Sequence, residues 1–249
     1  MADILAVAGS ARRRGNSDTI LEAALDVFRE RGDAVQVVYP RQLSISPCLS
    51  CNACFKTGVC VQHDDLTHLY GRFCEADHVV VASPVYFTNV PGHFKVMIDR
   101  FQCFWARTYL LRRPPHPRRN GMFLAVGAMD RERYYRCTAT VVKTWLSTLN
   151  IGCPVIRVYK GLDEPTDILR RPELLDDARA AARELIGSSV LVSGYGYGPR
   201  RVGEAVQSAT CPPSAIPYGR RRRRGRGRFR SARVLSTCAP CYSIQPFQP

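Results

Sequence analysis

Short apolar runs recur along about the first three quarters of the chain, and polar or amphipathic segments separate them. Each run is about six to eight residues long and nearly free of charge, which is typical of strands that a sheet buries on both faces. The predicted strands are residues 3–8, 34–39, 77–84, 121–128 and 153–159.

The segments between these runs carry apolar residues at helical spacing. In the first segment, the residues that share one helix face are Ile20, Leu21, Ala24, Leu25 and Phe28, and Gly32 fits the helix end. Further helices are predicted at residues 65–75, 91–105, 132–149 and 172–187, and the proline-rich segment 112–120 is predicted to be a loop. Strands that alternate with helices predict an α/β fold, a doubly wound five-stranded parallel sheet with helices on both faces.

Polar and unusual stretches follow the predicted strands. GSARRRGNSD follows the first strand, a cysteine-rich segment follows the second, SPVYFTNVPG the third and GAMDRERYY the fourth. Doubly wound sheets bind ligands at the carboxyl ends of their strands. The sequence therefore predicts a binding site at this edge of the sheet.

The loop after the first strand, GSARRRGNSDT, combines small and hydroxyl residues with Arg12 just before an amphipathic helix. A helix N-terminus offers free N–H groups and the positive end of the helix dipole, which suit a phosphate. The loop lacks both the GxGxxG fingerprint and the GK[ST] element, so a monophosphate is favoured over a dinucleotide. The alternative is an ordinary turn with a helix cap at Asn16 or Ser17.

The loop after the third strand, SPVYFTNVPGHFK, carries Pro84, Tyr86, Phe87 and Asn89. Fixed backbone amides suit the edge of a heteroaromatic ring, and an aromatic side chain can cover its flat face. The alternative is that Tyr86 and Phe87 belong to the core or to a subunit interface. A planar-ring site beside a phosphate loop is, however, what a flavin mononucleotide needs.

Four cysteines, Cys48, Cys51, Cys54 and Cys60, follow the second strand with the spacing C-x2-C-x2-C-x5-C. Closely spaced thiolates of this kind wrap one compact centre, and ferredoxin-type runs open with the same spacing. Structural zinc usually takes two C-x2-C pairs that lie farther apart. An iron–sulfur cluster is the favoured interpretation, while zinc and free redox thiols stay open.

GSARRRGNSDTILEA and ASPVYFTNVPGHFKVMIDR together resemble the flavodoxin-like NADPH-dependent FMN reductase family, over about residues 3–187. With the cysteine segment, about residues 46–65, the chain is most similar to the iron–sulfur flavoprotein branch. The resemblance implies FMN and a [4Fe–4S] cluster on the four cysteines. The phosphate contacts that it implies are Ser10, Arg12, Asn16 and Ser17. The ring contacts that it implies are Pro84, Val85, Tyr86, Phe87, Asn89, Gly127 and Ala128.

The same resemblance implies a flavin-dependent oxidoreductase. Electrons would move between NAD(P)H or a ferredoxin, the cluster, FMN and a small-molecule acceptor, in a homodimer or tetramer. A cluster-free flavin or quinone reductase with zinc or free thiols is the alternative. Because FMN performs the chemistry, we expect no essential acid–base pair from the protein; His93, beside the predicted flavin loop, is the one histidine of interest.

The chain changes character after residue 198. Residues 199–249 hold eleven arginines and a single acid, Glu204, so they carry +10 of the net charge of +15. Because its hydrophobic residues show no helical or strand period, this segment is predicted to be a disordered tail that follows a flavodoxin-like domain of residues 1–198. Oligoarginine binds nucleic-acid phosphates non-specifically, so a nucleic-acid-associated protein that acts through the tail is a second alternative. The lone C-x-x-C of Cys238 and Cys241 is a weak metal-site signal.

Cysteine use and hydrophobicity also bear on location. The 11 cysteines cannot all pair, and the N-terminal apolar run is too short for a signal peptide, so a cytoplasmic protein with reduced thiols is expected. No run of about eighteen apolar residues occurs, so no transmembrane helix is expected. The cysteines predicted to be small core residues are Cys74, Cys103, Cys137 and Cys153.

Overall fold

The structure is a computed structural model that describes residues 1–188. The predictions for residues 199–249, including Cys238 and Cys241, lie outside the described residues. The strands are β1 (Asp3–Ala8), β2 (Ala34–Val38), β3 (His78–Pro84), β4 (Arg119–Val126) and β5 (Ile151–Tyr159). The helices are α1 (Asn16–Glu30), α2 (Cys54–Thr57), α3 (Asp65–Glu75), α4 (Gly92–Asp99), α5 (Gln102–Trp105), α6 (Glu132–Ser147) and α7 (Pro172–Gly187).

The five strands are parallel and lie in the order β2-β1-β3-β4-β5, which confirms the predicted flavodoxin-like sheet. The order reverses at β1 and β3, where Ala8 pairs with Ala82 near both carboxyl ends. The loops that leave these two strands turn toward opposite faces of the sheet. A crevice between such loops is where doubly wound sheets bind ligands.

Helices cover both faces of the sheet, as the continuous apolar runs predict. On one face, α1 and α7 pack with Ile20 and Leu185 against alternate strand residues such as Ala6 and Leu124. On the other face, α3, α4 and α6 pack against the intervening residues, and Phe73, Phe94 and Trp145 lie edge to face in one aromatic cluster. The two apolar layers fix the sheet and leave the loops at its carboxyl edge for binding.

The helix predicted over residues 91–105 is in fact two helices. It breaks at Arg100 and Phe101, between α4 and α5, and a π-helical turn at Ala106–Leu110 follows α5. At the break, the Arg100 carbonyl accepts a hydrogen bond from the Tyr70 hydroxyl over 3.0 Å. Apolar residues keep their helical spacing through the break, so the sequence pattern alone does not reveal it.

Strand β4 begins at Arg119, inside the segment predicted to be a loop. The Arg119 guanidinium is nearly buried and donates to the backbone carbonyls of Phe73, Cys74, Ala76 and Leu149. Burial lowers the pKa of this guanidinium below its ordinary value. A charged residue can therefore open a buried strand here because carbonyls at and just beyond the C-terminal ends of α3 and α6 surround it. Among the described residues, no helix has the length and apolar character needed to cross a membrane.

Candidate functional site

The loop after β1 ends at the N-terminus of α1 and supplies donors for an anion. The helix cap is Gly15, one residue before the predicted Asn16 or Ser17, and no side chain caps the helix. The backbone N–H groups of the first turn therefore have no intrahelical or side-chain partner. The hydroxyl-bearing residues Ser10 and Ser17 are each 4% exposed beside this turn. The arrangement fits a phosphate group held mainly by backbone donors.

Gly9 allows helix α4 to approach this loop closely. A Cβ at Gly9 would lie 2.6 Å from Phe94 Cδ1 and 3.0 Å from Ser83 Cβ, which leaves no room for a side chain. The Gly9 N–H donates to the Ala82 carbonyl over 2.8 Å, so the turn stays joined to β3. The loop after β1 and the start of α4 are thereby held side by side.

A nearly buried ion pair fixes the base of the loop. Arg41, just after β2, donates to both carboxylate oxygens of Asp18 over 3.2 and 2.9 Å and to the Ser10 carbonyl over 3.0 Å. The Arg14 backbone N–H also donates to Asp18 over 3.0 Å. The Asp18 carboxylate in the first turn of α1 is therefore compensated from two sides. The sequence did not single out Arg41, because its partners lie 23 and 31 residues earlier.

Two predicted phosphate ligands also bind the loop after β5. The Asn16 amide donates to the Glu164 carbonyl over 2.7 Å and accepts from the Ile168 N–H over 3.2 Å. Arg12 donates to the Asp163 carbonyl over 3.2 Å, while its side chain stays exposed. Asn16 thus has its backbone N–H available for an anion, and Arg12 keeps further guanidinium donors.

Two buried nitrogen atoms next to the loop lack hydrogen-bond partners among the described residues. These atoms are Arg41 Nε and His93 Nε2. His93 lies at the start of α4, against the backbone of Gly9 and Ser10. Burial lowers the pKa of the His93 imidazole, and the Arg41 charge lowers it further. Arg41 Nε is an unpaired buried donor and fits an anionic ligand, because the ligand would give it the partner that it lacks; His93 Nε2 would act in the same way in the tautomer that carries its proton.

The loop after β3 is a tight hairpin. Tyr86 and Asn89 exchange backbone hydrogen bonds over 2.8 and 3.0 Å, and the two residues between them, Phe87 and Thr88, have φ of 49° and 62°. Two positive φ angles are typical of a type I′ turn, which normally takes Asn or Gly. Phe87 is fully exposed and Tyr86 is 41% exposed. Neither aromatic ring belongs to the core, so the core placement is wrong, while a place at a subunit interface stays a prediction.

The remaining predicted ring contacts lie at the same edge of the sheet. Pro84 ends β3, and the Val85 N–H donates to the Val126 carbonyl over 2.8 Å, which joins the loops after β3 and β4. Gly127 donates to the Tyr159 carbonyl and accepts from the Leu162 N–H. Its N–H is therefore occupied within the protein, and contact with a ligand would come from another face of the residue.

The cysteine segment folds as a chain of tight turns between β2 and α3. Ser50 and Asn52 have φ of 49° and 58°, and Gly58 ends α2 with φ of 70°. A Cβ at Gly58 would lie 2.8 Å from Arg107 Cγ. Small residues between the cysteines therefore let the backbone reverse direction within a few residues.

All four motif cysteines line one cavity of about 430 Å³. Cys48 and Cys51 are exposed, and Cys54 and Cys60 are half-buried. Burial raises the pKa of the Cys54 thiol, and neighbouring Cys60, Cys48 and Cys51 raise it further. Within residues 1–188, however, no three potential ligands converge closely enough to hold a metal ion. The donor set of four thiols around one cavity fits a thiolate-bound centre.

Three arginines that the sequence did not single out bind this segment. Arg100 donates to the carbonyls of Ser46 and Gln62 over 2.8 and 3.4 Å, and it pairs with Asp64. Arg107 donates to the Gly58 carbonyl over 2.6 Å, and Arg113 donates to the Thr57 carbonyl over 2.7 Å. Their partners lie 36 to 56 residues away, so no local pattern connects them.

The other cysteines have different environments. Cys103 is 1% exposed, as predicted, but it also lines the cavity of the four motif cysteines. Burial raises the pKa of the Cys103 thiol to about 11. Cys74 and Cys153 are half-buried, whereas Cys137 is exposed on α6, so the prediction that Cys137 is a core residue is wrong. The apolar positions of α6 face the sheet, and Cys137 lies off that face.

The part of the chain that contains most of the sheet is similar in sequence to known proteins. Residues 2–153 match the NADPH-dependent FMN reductase family. An iron-sulfur flavoprotein of Methanosarcina thermophila is 36% identical over 126 residues, which are 50% of this chain and 62% of that protein. An iron-sulfur flavoprotein of Clostridioides difficile is 30% identical over 164 residues, 65% of this chain and 69% of that protein. Against an Archaeoglobus fulgidus iron-sulfur flavoprotein, the match spans 47% of the relative's length, so about half to two thirds of these relatives is covered.

Solved structures share the fold at lower sequence identity. An NAD(P)H:quinone oxidoreductase from Methanothermobacter marburgensis has a TM-score of 0.55 and 19% identity, over 75% of this chain and 96% of that chain. RosB, solved with 8-demethyl-8-formylriboflavin-5'-phosphate, has a TM-score of 0.58 and 17% identity, over 93% of this chain and 100% of that chain. At these identities the likeness establishes the doubly wound sheet and nothing about ligands.

Proposed function

Because the chain belongs to the NADPH-dependent FMN reductase family, in its iron–sulfur flavoprotein branch, we propose that it is an FMN-dependent oxidoreductase. It takes electrons from NAD(P)H or a ferredoxin and passes them to a small-molecule acceptor. FMN, when bound, accepts a hydride from a nicotinamide and gives up electrons singly, and the protein supplies position and electrostatics.

The observation that carries this proposal is the uncapped N-terminus of α1 beside unpaired buried donors. No side chain caps the helix, and Arg41 Nε and His93 Nε2 have no partner among the described residues. A terminal phosphate would supply the acceptors that the N–H groups of the first turn of α1 lack, and the unpaired nitrogen atoms of Arg41 and His93 lie beside the same loop. The pair of Asp18 with Arg41 keeps the carboxylate in the first turn from repelling that phosphate.

The predicted phosphate contacts become specific roles in this proposal. Ser17 donates its backbone N–H and its hydroxyl, and Ser10 donates its hydroxyl. Asn16 contributes its backbone N–H, since its side-chain amide binds Glu164 and Ile168. Arg12 closes the site from the solvent side with guanidinium donors that Asp163 does not use.

The flavin ring would lie over the carboxyl ends of β3 and β4. Its contacts in the proposal are Pro84, Val85, Tyr86, Phe87, Asn89 and Gly127. The hairpin holds Phe87 and Tyr86 out of the core, where their rings can cover a planar group. We expect the nicotinamide and the acceptor to use the other face of the same ring in turn, within a homodimer or tetramer.

The four motif cysteines would hold a [4Fe–4S] cluster that exchanges single electrons with the flavin. Support comes from the cavity that all four share and from the spacing of the ligands. The second candidate is a flavin or quinone reductase with zinc or free thiols at the same place. Its free-thiol form is favoured by the lack of a converged group of metal ligands within residues 1–188, an observation that does not favour zinc.

Anaerobic purification followed by measurement of flavin, iron, sulfide and zinc on one sample tests both candidates. The first predicts FMN with about four iron and four sulfide per chain. FMN without iron would favour the second candidate. Protein that binds no flavin even after FMN is added to a freshly folded sample would contradict both candidates. For protein that contains FMN, a separate assay of NADH and NADPH oxidation with a quinone or free flavin as acceptor identifies the electron donor.

A further inference from the structure

A fully buried arginine lies directly beneath the cysteine segment. Arg100 is 1% exposed and is the largest of the fully buried side chains in the part of the chain that the structure describes. It lies at the break between α4 and α5, and its side chain lines the cavity that the motif cysteines share. Burial of a guanidinium is costly unless acceptors surround it.

The acceptors of Arg100 lie on both arms of the cysteine segment. One nitrogen donates to the Ser46 carbonyl over 2.8 Å and to Asp64 over 2.5 Å, and the other donates to the Gln62 carbonyl over 3.4 Å and to Asp64 over 3.3 Å. Every motif cysteine lies between Ser46 and Gln62 in the chain. A single side chain thus closes the segment at its two ends.

Asp64 connects the closed cysteine segment to helix α3, which follows it in the chain. Its carboxylate caps α3 by accepting from the Leu66 N–H, and it accepts from the Ser46 N–H over 3.1 Å. Burial would raise the pKa of the Asp64 carboxyl, but hydrogen bonds from Arg100 and from the backbone outweigh it and leave the pKa below its ordinary value. The pair is therefore ionised at neutral pH and joins the segment to the sheet-bound helices.

The middle of the segment is held by two further guanidinium groups. Arg107 donates to the Gly58 carbonyl and Arg113 to the Thr57 carbonyl, just before the last motif cysteine. Arg107 also lies over the Phe104 ring, with its guanidinium carbon 4.4 Å from the ring centroid. Three cations therefore contact the backbone of one short, cysteine-rich segment, although acids are absent from residues 46–63.

The Arg100 guanidinium also interacts with the Cys60 thiol, and one of its polar atoms remains without a hydrogen bond. Its Nε is buried and has no hydrogen-bond partner among the described residues, and the residue lines the cysteine cavity together with Cys60. A buried cationic donor without an acceptor is unfavourable by itself. An anionic sulfur centre in the cavity would provide the missing acceptor.

We propose that Arg100 is a positioning residue for the metal–thiolate centre, which closes the cysteine segment and stabilises negative charge on its sulfur atoms. Arg107 and Arg113 support the middle of the same segment. The inference rests on the proposed cluster function and adds to it a role for residues outside the ligand motif. A nearby cation stabilises the more negative, reduced form of a centre, so Arg100 and Arg107 raise its reduction potential.

The test compares full-length wild type with Arg100→Gln, Arg100→Lys and Arg107→Gln after anaerobic reconstitution with ferrous iron and sulfide. Arg119→Gln is the matched control, because Arg119 is also nearly buried and donates to four backbone carbonyls but does not line the cysteine cavity. Iron per chain, FMN per chain, thermal unfolding and midpoint potential are measured on each protein.

We expect Arg100→Gln to keep FMN and lose about 10-fold or more in iron affinity, while Arg119→Gln keeps the iron content of wild type. Arg100→Lys keeps the charge but cannot reach all the acceptors of the guanidinium, so its iron affinity should lie between those of Arg100→Gln and wild type. Arg107→Gln should also bind iron more tightly than Arg100→Gln and should show a more negative midpoint potential than wild type. Wild-type iron affinity and potential in both Arg100→Lys and Arg107→Gln would overturn the proposal even if Arg100→Gln does not fold. Wild type that binds FMN but no iron would overturn the cluster function itself, and this inference with it.

Discussion

The side-chain amide of Asn16 donates to the backbone carbonyl of Glu164 over 2.7 Å, across the top of the sheet. The same side chain accepts from the Ile168 N–H, so the loop after β1 is tied to the segment that follows β5. A residue that the sequence suggests as a cofactor ligand therefore also has a structural task. The two tasks can be separated by comparing stability with FMN affinity.

Asn16→Ala should lower the free energy of unfolding by about 1–3 kcal/mol, because two hydrogen bonds of its side chain are lost. Its effect on FMN affinity should be smaller than that of Ser17→Ala, which removes a buried hydroxyl next to the free N–H groups of α1. Urea unfolding of the apoprotein and FMN titration by flavin fluorescence measure the two quantities. A larger affinity loss in Asn16→Ala, with unchanged unfolding, would contradict this division of roles.

Arg41→Gln should weaken both stability and FMN binding. The pair with Asp18 is about nine-tenths buried, so loss of the cation leaves a carboxylate without compensation at the phosphate site and costs about 3 kcal/mol. Asp18→Asn in the same background should restore part of both, which a double-mutant cycle on unfolding and FMN affinity measures. Equal effects of Arg41→Gln with and without Asp18→Asn would mean that the pair is not the cause.

The sheet was predictable because its strands are parallel and buried on both faces, and such strands leave continuous apolar runs in the sequence. The loops after β1 and β3 were predictable because strand ends and glycines mark them. Arg100 and Arg41 were not, since their acceptors lie 23 to 54 residues away and no local period records such a contact. The helix break at Arg100 was not predictable either, because the apolar residues keep their helical spacing on both sides of it.

Acid should destabilise the apoprotein partly through His93. Burial and Arg41 hold the pKa of the folded imidazole below 6.5, whereas the unfolded residue titrates near that ordinary value. Between the two pKa values the unfolded state binds more protons, so stability falls as pH falls below about 6.5. His93→Gln should flatten this part of the pH dependence, with His63→Gln as the exposed control. Parallel curves for wild type and His93→Gln, measured by urea unfolding between about pH 5 and 7.5, would exclude His93 as the source.

The hairpin after β3 should separate stability from ligand contact. Thr88 is β-branched and has φ of 62°, so Thr88→Gly should stabilise the protein by about 1 kcal/mol. Phe87→Ala should leave unfolding nearly unchanged, because the ring is fully exposed, and should reduce FMN affinity or turnover if the ring covers the flavin. Thermal unfolding with FMN titration measures both. Destabilisation by Thr88→Gly would show that this turn is not strained.

Cys51 and Cys103 line the same cavity but differ in exposure and in their position relative to the cysteine motif. Cys51 is exposed in the C-x2-C-x2-C-x5-C motif, whereas Cys103 is buried on α5, and burial raises the pKa of its thiol to about 11. Metal ligands are thiolates, whereas the Cys103 thiol donates its proton to the Arg100 carbonyl over 3.6 Å within the protein. Cys51→Ser should therefore lose iron and the visible absorbance beyond the flavin bands, while Cys103→Ser keeps both and loses only a little packing energy. Iron loss in Cys103→Ser with full iron in Cys51→Ser would place the centre deeper than the motif suggests, with Cys103 among its ligands.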